Sequence, residues 1–129
     1  MRRVVVTGMG AITPLGNNYN DFWENIKAGK SGAGPITKFD TSKFKTQFAC
    51  EVKDYTPSDF FDRKEARKYD TFTQYAILAA DEAIKNSGAN FDELDRYRIG
   101  VIWGSGNGGM QTFQDEVKAY VTGDGTPRF

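Results

Sequence analysis

The chain has 129 residues, of which 39% are hydrophobic and 14% aromatic, so it can form a packed core and is not an intrinsically disordered protein. Seventeen basic residues balance seventeen acidic ones, and this zero net charge argues against a general nucleic-acid-binding protein. One cysteine and no histidine exclude an internal disulfide, Ser-His-Asp or Cys-His catalytic pairs, and metal sites built from histidine.

Two elements are predicted in the first thirty residues. Three valines predict a short buried strand over residues 3–7. This apolar run is far too short for a signal peptide or a membrane span, so we expect a cytoplasmic protein that binds no membrane. Asn18 is the predicted N-cap of a helix that ends near Ala28, where Gly29 supplies a left-handed stop. The expected buried stripe of this helix is Phe22, Trp23 and Ile26.

The stretch after this helix is irregular. Phe48, Cys50 and Val52 alternate with other residues, which predicts a strand with one exposed face. Pro57 is expected to begin a short helical turn. Cys50 lies beside Glu51, whose negative charge disfavours the reactive thiolate. We therefore expect Cys50 to pack as a small buried side chain rather than to act as a nucleophile.

The clearest predicted element is one long helix from Arg63 to about Asn86. Asp62 and Glu65 resemble a capping box at its start, and Gly88 follows its end. Apolar residues recur every three or four positions, and the small ones allow close approach of a neighbouring helix or sheet. This stripe consists of Tyr69, Phe72, Ala76, Ala79 and Ala83.

A second buried strand is predicted over residues 98–103, followed by a glycine-rich loop over residues 104–109 and a helix from about Met110 to Val121. One side of this last helix is apolar, at Met110, Phe113, Val117 and Tyr120. Strands and helices therefore alternate along the chain, and this order predicts an α/β fold.

The glycine-rich loop also matches a dinucleotide-binding fingerprint. Gly104, Gly106 and Gly109 have the G-x-G-x-x-G spacing between a predicted strand and a predicted helix. Asp124 follows about 20 residues later, but in a glycine-rich turn rather than after a strand, where a ribose ligand is expected. A tight turn explains the spacing better, and an oxidoreductase fragment that binds a nicotinamide dinucleotide stays an alternative.

A basic cluster, formed by Arg63, Lys64, Arg67 and Lys68, lies in the first turns of the predicted long helix. The positive end of the helix dipole disfavours cations at this position. One interpretation is a solvated helix end whose cations pair with neighbouring acids. The other is a docking site for an anion or an acidic protein, in which case the chain could be a non-catalytic binding module.

Several strings taken together resemble a known family, although none is specific alone. In order and over nearly all of the chain, they are similar to the start of the β-ketoacyl-acyl-carrier-protein synthase II family. The strings are VVVTGMG at 4–10, TPLGN at 13–17, FW at 22–23, FDT at 39–41, RKEARK at 63–68 and GSGNGG at 104–109.

The resemblance implies a partial thiolase-like fold, in which residues 1–129 are the amino-terminal part of a layered α/β/α/β/α domain. Family members are cytoplasmic homodimers that elongate fatty acids. They transfer an acyl group from acyl carrier protein to a cysteine, decarboxylate malonyl-carrier protein and condense the two. The family members are acyltransferases. For this chain we expect no nucleic-acid partner, no cofactor and no metal site.

The catalytic groups of that family have no match in this sequence. They are a cysteine within Thr-Ala-Cys-Ser-Ser, two histidines, a lysine and a gating Gly-Phe-Gly-Gly segment. Cys50 lies outside any such motif. We therefore expect a truncated amino-terminal segment that is inactive alone.

Binding residues do carry over from the resemblance. The basic cluster falls on the helix that docks the acidic carrier protein, and the loop at 104–109 corresponds to a wall of the acyl tunnel near the dimer interface. Asn107 departs from the family, which usually has an apolar residue there in contact with the acyl chain; a buried amide needs a hydrogen-bond partner. The expected carrier-binding residues are Arg63, Lys64, Arg67, Lys68 and Arg128. The expected tunnel residues are Gly106, Asn107 and Gly108.

Overall fold

The computed structural model describes residues 3–126. Four α-helices and one antiparallel pair of short strands form its regular structure. The helices are α1 (Tyr19–Lys27), α2 (Arg63–Lys68), α3 (Thr71–Ser87) and α4 (Met110–Thr122). The strands are β1 (Gly34–Pro35) and β2 (Phe48–Ala49), and single 3-10 turns span Pro57–Asp59 and Arg96–Arg98.

Helix α1 begins and ends where the sequence predicts. The Asn18 side chain accepts a 2.9 Å hydrogen bond from the backbone N–H of Asp21, and Gly29 adopts a φ of 64° just after the helix. The predicted buried stripe is wrong for Trp23 and Ile26, which are 48% and 42% exposed. No layer covers this face within the part of the chain that the structure describes.

Neither of the two predicted buried strands forms within residues 3–126. Residues 3–7 and 98–103 join no ladder, and Val4 and Ile102 are almost fully exposed. A strand needs a neighbouring strand for its backbone N–H and C=O groups, and its apolar faces need a covering layer. The apolar pattern of the two segments therefore indicates that they are suited to a buried strand, but residues 3–126 supply neither the partner strands nor the covering layer.

The predicted long helix is two helices in the structure. Helix α2 ends at Lys68, the backbone at Tyr69 is extended (φ −106°, ψ 128°), and α3 begins after Asp70. The Gln74 side chain donates to the carbonyl oxygens of Tyr69 at 2.8 Å and Ala66 at 2.9 Å. These bonds replace the backbone hydrogen bonds of a continuous helix, so the chain can change direction without leaving the two carbonyls unpaired.

The small residues of α3 receive a glycine segment, which confirms that they allow the close approach of a neighbour. A Cβ atom on Gly8 would run into the carbonyl oxygen of Ala83, and one on Gly10 would run into that of Ala79. Only a residue without a side chain fits at either position.

The Glu82 carboxylate holds this glycine segment and α1 against α3. One carboxylate oxygen accepts a 2.8 Å hydrogen bond from the N–H of Ala11, and the other accepts one of the same length from the N–H of Tyr19, the first residue of α1. A charged acceptor strengthens both bonds. One side chain of α3 therefore holds two segments that lie more than sixty residues earlier in the sequence.

Little of the described structure is buried. Among residues 3–126 only Phe61 and Gln74 are buried, and the apolar side of α4, with Met110 and Phe113, is open to solvent. The accessible surface is 11109 Å², whereas a compact protein of 14.4 kDa exposes about 6,800 Å². None of the described helices is both long enough and apolar enough to span a membrane.

Candidate functional site

The basic cluster lies on α2, which is capped as the sequence predicts. The Asp62 carboxylate accepts 2.8 Å hydrogen bonds from the backbone N–H groups of Lys64 and Glu65. This cap satisfies two of the free donors at the start of the helix. All four cations of the cluster are exposed.

The position of the cluster in the helix dipole differs from the prediction. Because α2 ends at Lys68, Arg67 and Lys68 lie in its last turn, where the dipole favours cations. Arg63 and Lys64 alone lie in the first turn, where it disfavours them. The expectation that all four cations oppose the dipole is therefore wrong, because it assumed one long helix.

The four cations form no ion pair with any described residue. Among the other described cations, Lys27, Lys85 and Arg96 do pair with acids on their own segment, as Lys85 does with Asp81 at 2.5 Å. Two acids beside the cluster are occupied differently: Asp62 caps α2, and Asp70 accepts a hydrogen bond from Thr112. Glu65 lies within the cluster, is exposed and forms no ion pair with a described residue. The interpretation that these cations pair with neighbouring acids is therefore not supported. Their positive charge is available to an anionic partner.

A groove of about 530 Å³ separates the end of α2 from the start of α4. Arg67 and Lys68 line it on one side, and Asn107 and Met110 line it on the other. The structure thus brings two of the predicted docking cations and one predicted tunnel residue to a single feature of the surface. The groove is not lined by Arg63, Lys64, Gly106 or Gly108.

The end of the loop over residues 104–109 packs against α3 and the residue before it, through Gly108 and Gly109. A Cβ atom on Gly108 would lie 3.0 Å from the Phe72 ring. Gly109 has a φ of 58° and precedes α4, with the Asp70 carboxylate close beside it. A side chain at Gly109 would meet both backbone strain and this carboxylate. Asn107 directly precedes these anchors and is exposed.

The geometry does not support a dinucleotide-binding turn. Such a turn needs a strand before its first glycine, and residues 98–103 form none. Asp124 accepts a 2.9 Å hydrogen bond from the N–H of Thr126, and this bond holds the pKa of Asp124 below its ordinary value. The carboxylate is thus part of a local turn rather than a ribose ligand after a strand.

Cys50 is exposed, so the expectation that it packs as a buried side chain is wrong: β2 ends at Ala49 and nothing covers the next residue. The Glu51 carboxylate accepts a 2.7 Å hydrogen bond from the Thr37 hydroxyl, and this bond lowers the pKa of Glu51. A persistent negative charge therefore lies next to Cys50 in the chain.

Gln74 is the buried polar residue behind the basic cluster, and its role is not predicted from the sequence. Its side-chain oxygen accepts a 2.6 Å hydrogen bond from the Tyr55 hydroxyl. Burial raises the pKa of Tyr55 and of Tyr75, whose rings meet edge to face at 4.9 Å. The signal was an amide within the mostly apolar first half of α3, and helical spacing alone does not distinguish such an amide from a surface residue. Arg128 lies outside the described residues.

Residues 1–127 match the family described as Beta-ketoacyl synthase, N-terminal domain. The chain belongs to the β-ketoacyl synthase family. It is 46% identical over 121 residues to 3-oxoacyl-acyl-carrier-protein synthase 2 of Coxiella burnetii, covering 94% of this chain and 29% of that protein. The proteins of the same name from Synechocystis and Staphylococcus aureus are 44% and 48% identical, over 89% and 88% of this chain and 28% and 27% of theirs.

A solved structure gives the same result for the fold. The ishigamide ketosynthase/chain length factor is 39% identical, with a TM-score of 0.63 over 72% of this chain and 23% of that one. The predicted fold, a partial thiolase-like α/β fold, is confirmed. This β-ketoacyl synthase chain spans less than a third of the length of the curated relatives given above.

Proposed function

We propose that the protein carrying this chain is an elongating β-ketoacyl-acyl-carrier-protein synthase, a cytoplasmic homodimer of fatty acid synthesis. Within it, this chain supplies a docking surface for the carrier protein and a wall of the acyl tunnel. The supporting observation is the family match over residues 1–127, together with 44–48% identity to proteins named 3-oxoacyl-acyl-carrier-protein synthase 2.

The proposed reaction is a decarboxylative condensation. An acyl group first moves from the carrier thioester to an enzyme thiolate, and the carrier leaves as its thiolate. The bond between the malonyl α-carbon and its carboxylate then breaks, carbon dioxide leaves, and the freed electron pair attacks the acyl thioester carbonyl. The enzyme thiolate is the leaving group, and a β-ketoacyl-carrier product remains.

This reaction needs an activated thiolate and hydrogen-bond donors for the enolate and the oxyanion. The 129 residues contain no histidine, and Cys50 lies beside a persistent negative charge. We therefore assign catalysis to parts of the synthase other than this chain. The chain contributes binding surface instead.

Carrier docking is assigned to α2. Its four exposed cations have no acidic partner among residues 3–126, and the carrier of the family is acidic. Each exposed ion pair adds about 0.2–1 kcal/mol, and the shared charge speeds association. The residues proposed to bind the carrier are Arg63, Lys64, Arg67 and Lys68, with Arg128 at a second position beyond the described residues.

The tunnel wall is assigned to Gly106, Asn107 and Gly108. The groove between α2 and α4 supports this assignment, because Lys68 and Asn107 both line it. A substrate delivered by a carrier on α2 would thus have a short path to the loop. Asn107 replaces the apolar residue usual in the family and gives this wall a polar contact.

A condensation assay tests the proposed activity. The complete protein is mixed with acyl- and malonyl-loaded carrier protein, and carbon dioxide and β-ketoacyl product are measured. We expect both products from the complete protein and neither from the 129-residue chain alone. Carrier binding by the complete protein without any carbon dioxide release would favour the non-catalytic binding module instead.

The oxidoreductase alternative has its own measurement. Titration with a reduced nicotinamide cofactor, followed by fluorescence, is expected to give no saturable change. A saturable change that Gly106→Ala abolishes would overturn the proposed function.

A further inference from the structure

Gln74 has 3% of its surface exposed and is the one buried polar side chain within residues 3–126. Its amide nitrogen donates to the carbonyl oxygens of Ala66 at 2.9 Å and Tyr69 at 2.8 Å, and its amide oxygen accepts from the Tyr55 hydroxyl at 2.6 Å. A buried amide bonded in this way holds its partners in one arrangement, because the loss of any bond leaves a buried polar atom unsatisfied.

These bonds decide the direction of α2. In a continuous helix, the carbonyl groups of Ala66 and Tyr69 would accept from backbone N–H groups four residues later, and α2 would share the axis of α3. Gln74 takes the place of those N–H groups, and the backbone turns at Tyr69. Helix α2 therefore has an axis of its own, set by a side chain of α3.

The direction of α2 sets where its cations lie. Arg67 and Lys68 directly follow Ala66, whose carbonyl group Gln74 binds, and both line the groove that faces Asn107. Recognition by a constellation of side chains requires the supporting elements to be held within about 0.5 Å and 10–20°. A change in the axis of α2 would displace its cations from a carrier surface while leaving the charges in place.

We propose that Gln74 is a positioning residue for docking of the acyl carrier protein. It acts by fixing the break between α2 and α3, and not through a charge of its own. The inference rests on the proposed function of α2 as the docking helix.

The test uses the complete synthase and two substrates. Gln74→Met keeps the side-chain volume and removes all three hydrogen bonds. We expect its KM for malonyl-carrier protein to rise about tenfold, with kcat changed by less than about twofold. With malonyl-pantetheine, which lacks the carrier protein, we expect an unchanged KM. If Gln74 had only a structural role, the variant would lose activity equally with both substrates.

A second variant keeps the test decisive if Gln74→Met does not fold. Gln74→Leu also removes all three hydrogen bonds and places no charge at the buried site, and it is expected to give the same contrast between the two substrates. The matched control is Gln47→Met, the same replacement at an exposed glutamine, for which neither KM is expected to change.

Two results would overturn the inference: a folded Gln74 variant with an unchanged KM for the carrier substrate, or an equal loss with both substrates. A variant with reversed charge at Lys64, Arg67 and Lys68 shows which of two claims is wrong, the role of Gln74 or the assignment of α2 as the docking helix. If that reversal raises the KM for the carrier and the Gln74 variants do not, only the role of Gln74 is wrong. If the reversal has no effect either, the docking assignment itself is wrong.

Discussion

The Tyr55 hydroxyl donates a 2.6 Å hydrogen bond to the side-chain oxygen of Gln74 and so connects the segment before α2 to the buried face of α3. The Tyr55 ring also packs edge to face on Tyr75, with centroids 4.9 Å apart. Tyr55→Phe keeps this ring packing but leaves the Gln74 oxygen buried without a donor. We expect a loss of about 1–3 kcal/mol in the free energy of unfolding, measured by urea denaturation. No loss of stability would show that the hydrogen bond contributes little.

The same residue predicts a dependence of stability on pH. Burial, followed by the neighbouring Tyr75, raises the pKa of Tyr55 above its ordinary value of 10.0. The folded protein therefore holds this proton more tightly than the unfolded chain, and the resulting stability is present below about pH 10 and is lost as pH rises through the folded pKa. We expect the alkaline fall in stability to be smaller in Tyr55→Phe than in the unaltered protein. An equal fall in both proteins would contradict this origin.

Glu82 and its neighbour Asp81 offer a matched pair of substitutions. Glu82→Gln replaces one charged acceptor by an amide group that points donor hydrogens at an N–H, and we expect a loss of about 1–3 kcal/mol in unfolding free energy. Asp81→Asn removes an exposed ion pair with Lys85 and is expected to cost about 0.3–0.5 kcal/mol. Equal losses in urea denaturation would show that Glu82 does not join α1 and the glycine segment to α3.

The glycine segment that lies on α3 predicts a steric effect. Gly10→Ala places a Cβ atom against the carbonyl group of Ala79, and we expect a loss of about 1–3 kcal/mol from overpacking. Gly100→Ala is the control, because a Cβ atom there meets nothing within 4 Å. The thermal midpoint of unfolding is expected to fall only for Gly10→Ala. A similar fall in both variants would point to a general effect of losing glycine.

The helix ends other than the break between α2 and α3 could be predicted from the sequence, because the signals that set them are local. Asn18 and Asp62 cap helices as expected, and Gly88 closes α3 with a φ of 63°. The basic cluster was equally predictable, since its members are adjacent in the sequence. Its position in the helix dipole was not, because that depends on where α2 ends.

The remaining differences have non-local causes. The valines of residues 3–7 have the composition of a strand, but a strand also needs partners that residues 3–126 do not provide. The break at Tyr69 depends on a side chain five residues later that replaces backbone hydrogen bonds. Helical spacing counts Gln74 only as a polar position and does not indicate that it is buried.

Asn107 predicts a change in substrate preference. If the loop lines the acyl tunnel, Asn107→Ile restores an apolar contact with the acyl chain. We expect kcat/KM for long acyl-carrier substrates to rise about tenfold relative to short ones. Asn20→Ile, the same replacement at an exposed position of α1, is expected to leave this ratio unchanged. An unchanged ratio in Asn107→Ile would remove this residue from the tunnel wall.

Carrier affinity of the charge-reversed synthase is the most direct test of the central claim, that α2 docks an acidic carrier protein. Lys64, Arg67 and Lys68 are replaced together by glutamate, and the control replaces the exposed lysines Lys38, Lys43 and Lys45 in the same way. We predict that the Kd for acyl carrier protein at low salt rises at least about tenfold in the first variant and changes little in the control. An equal Kd for the unaltered protein and both variants would contradict the account.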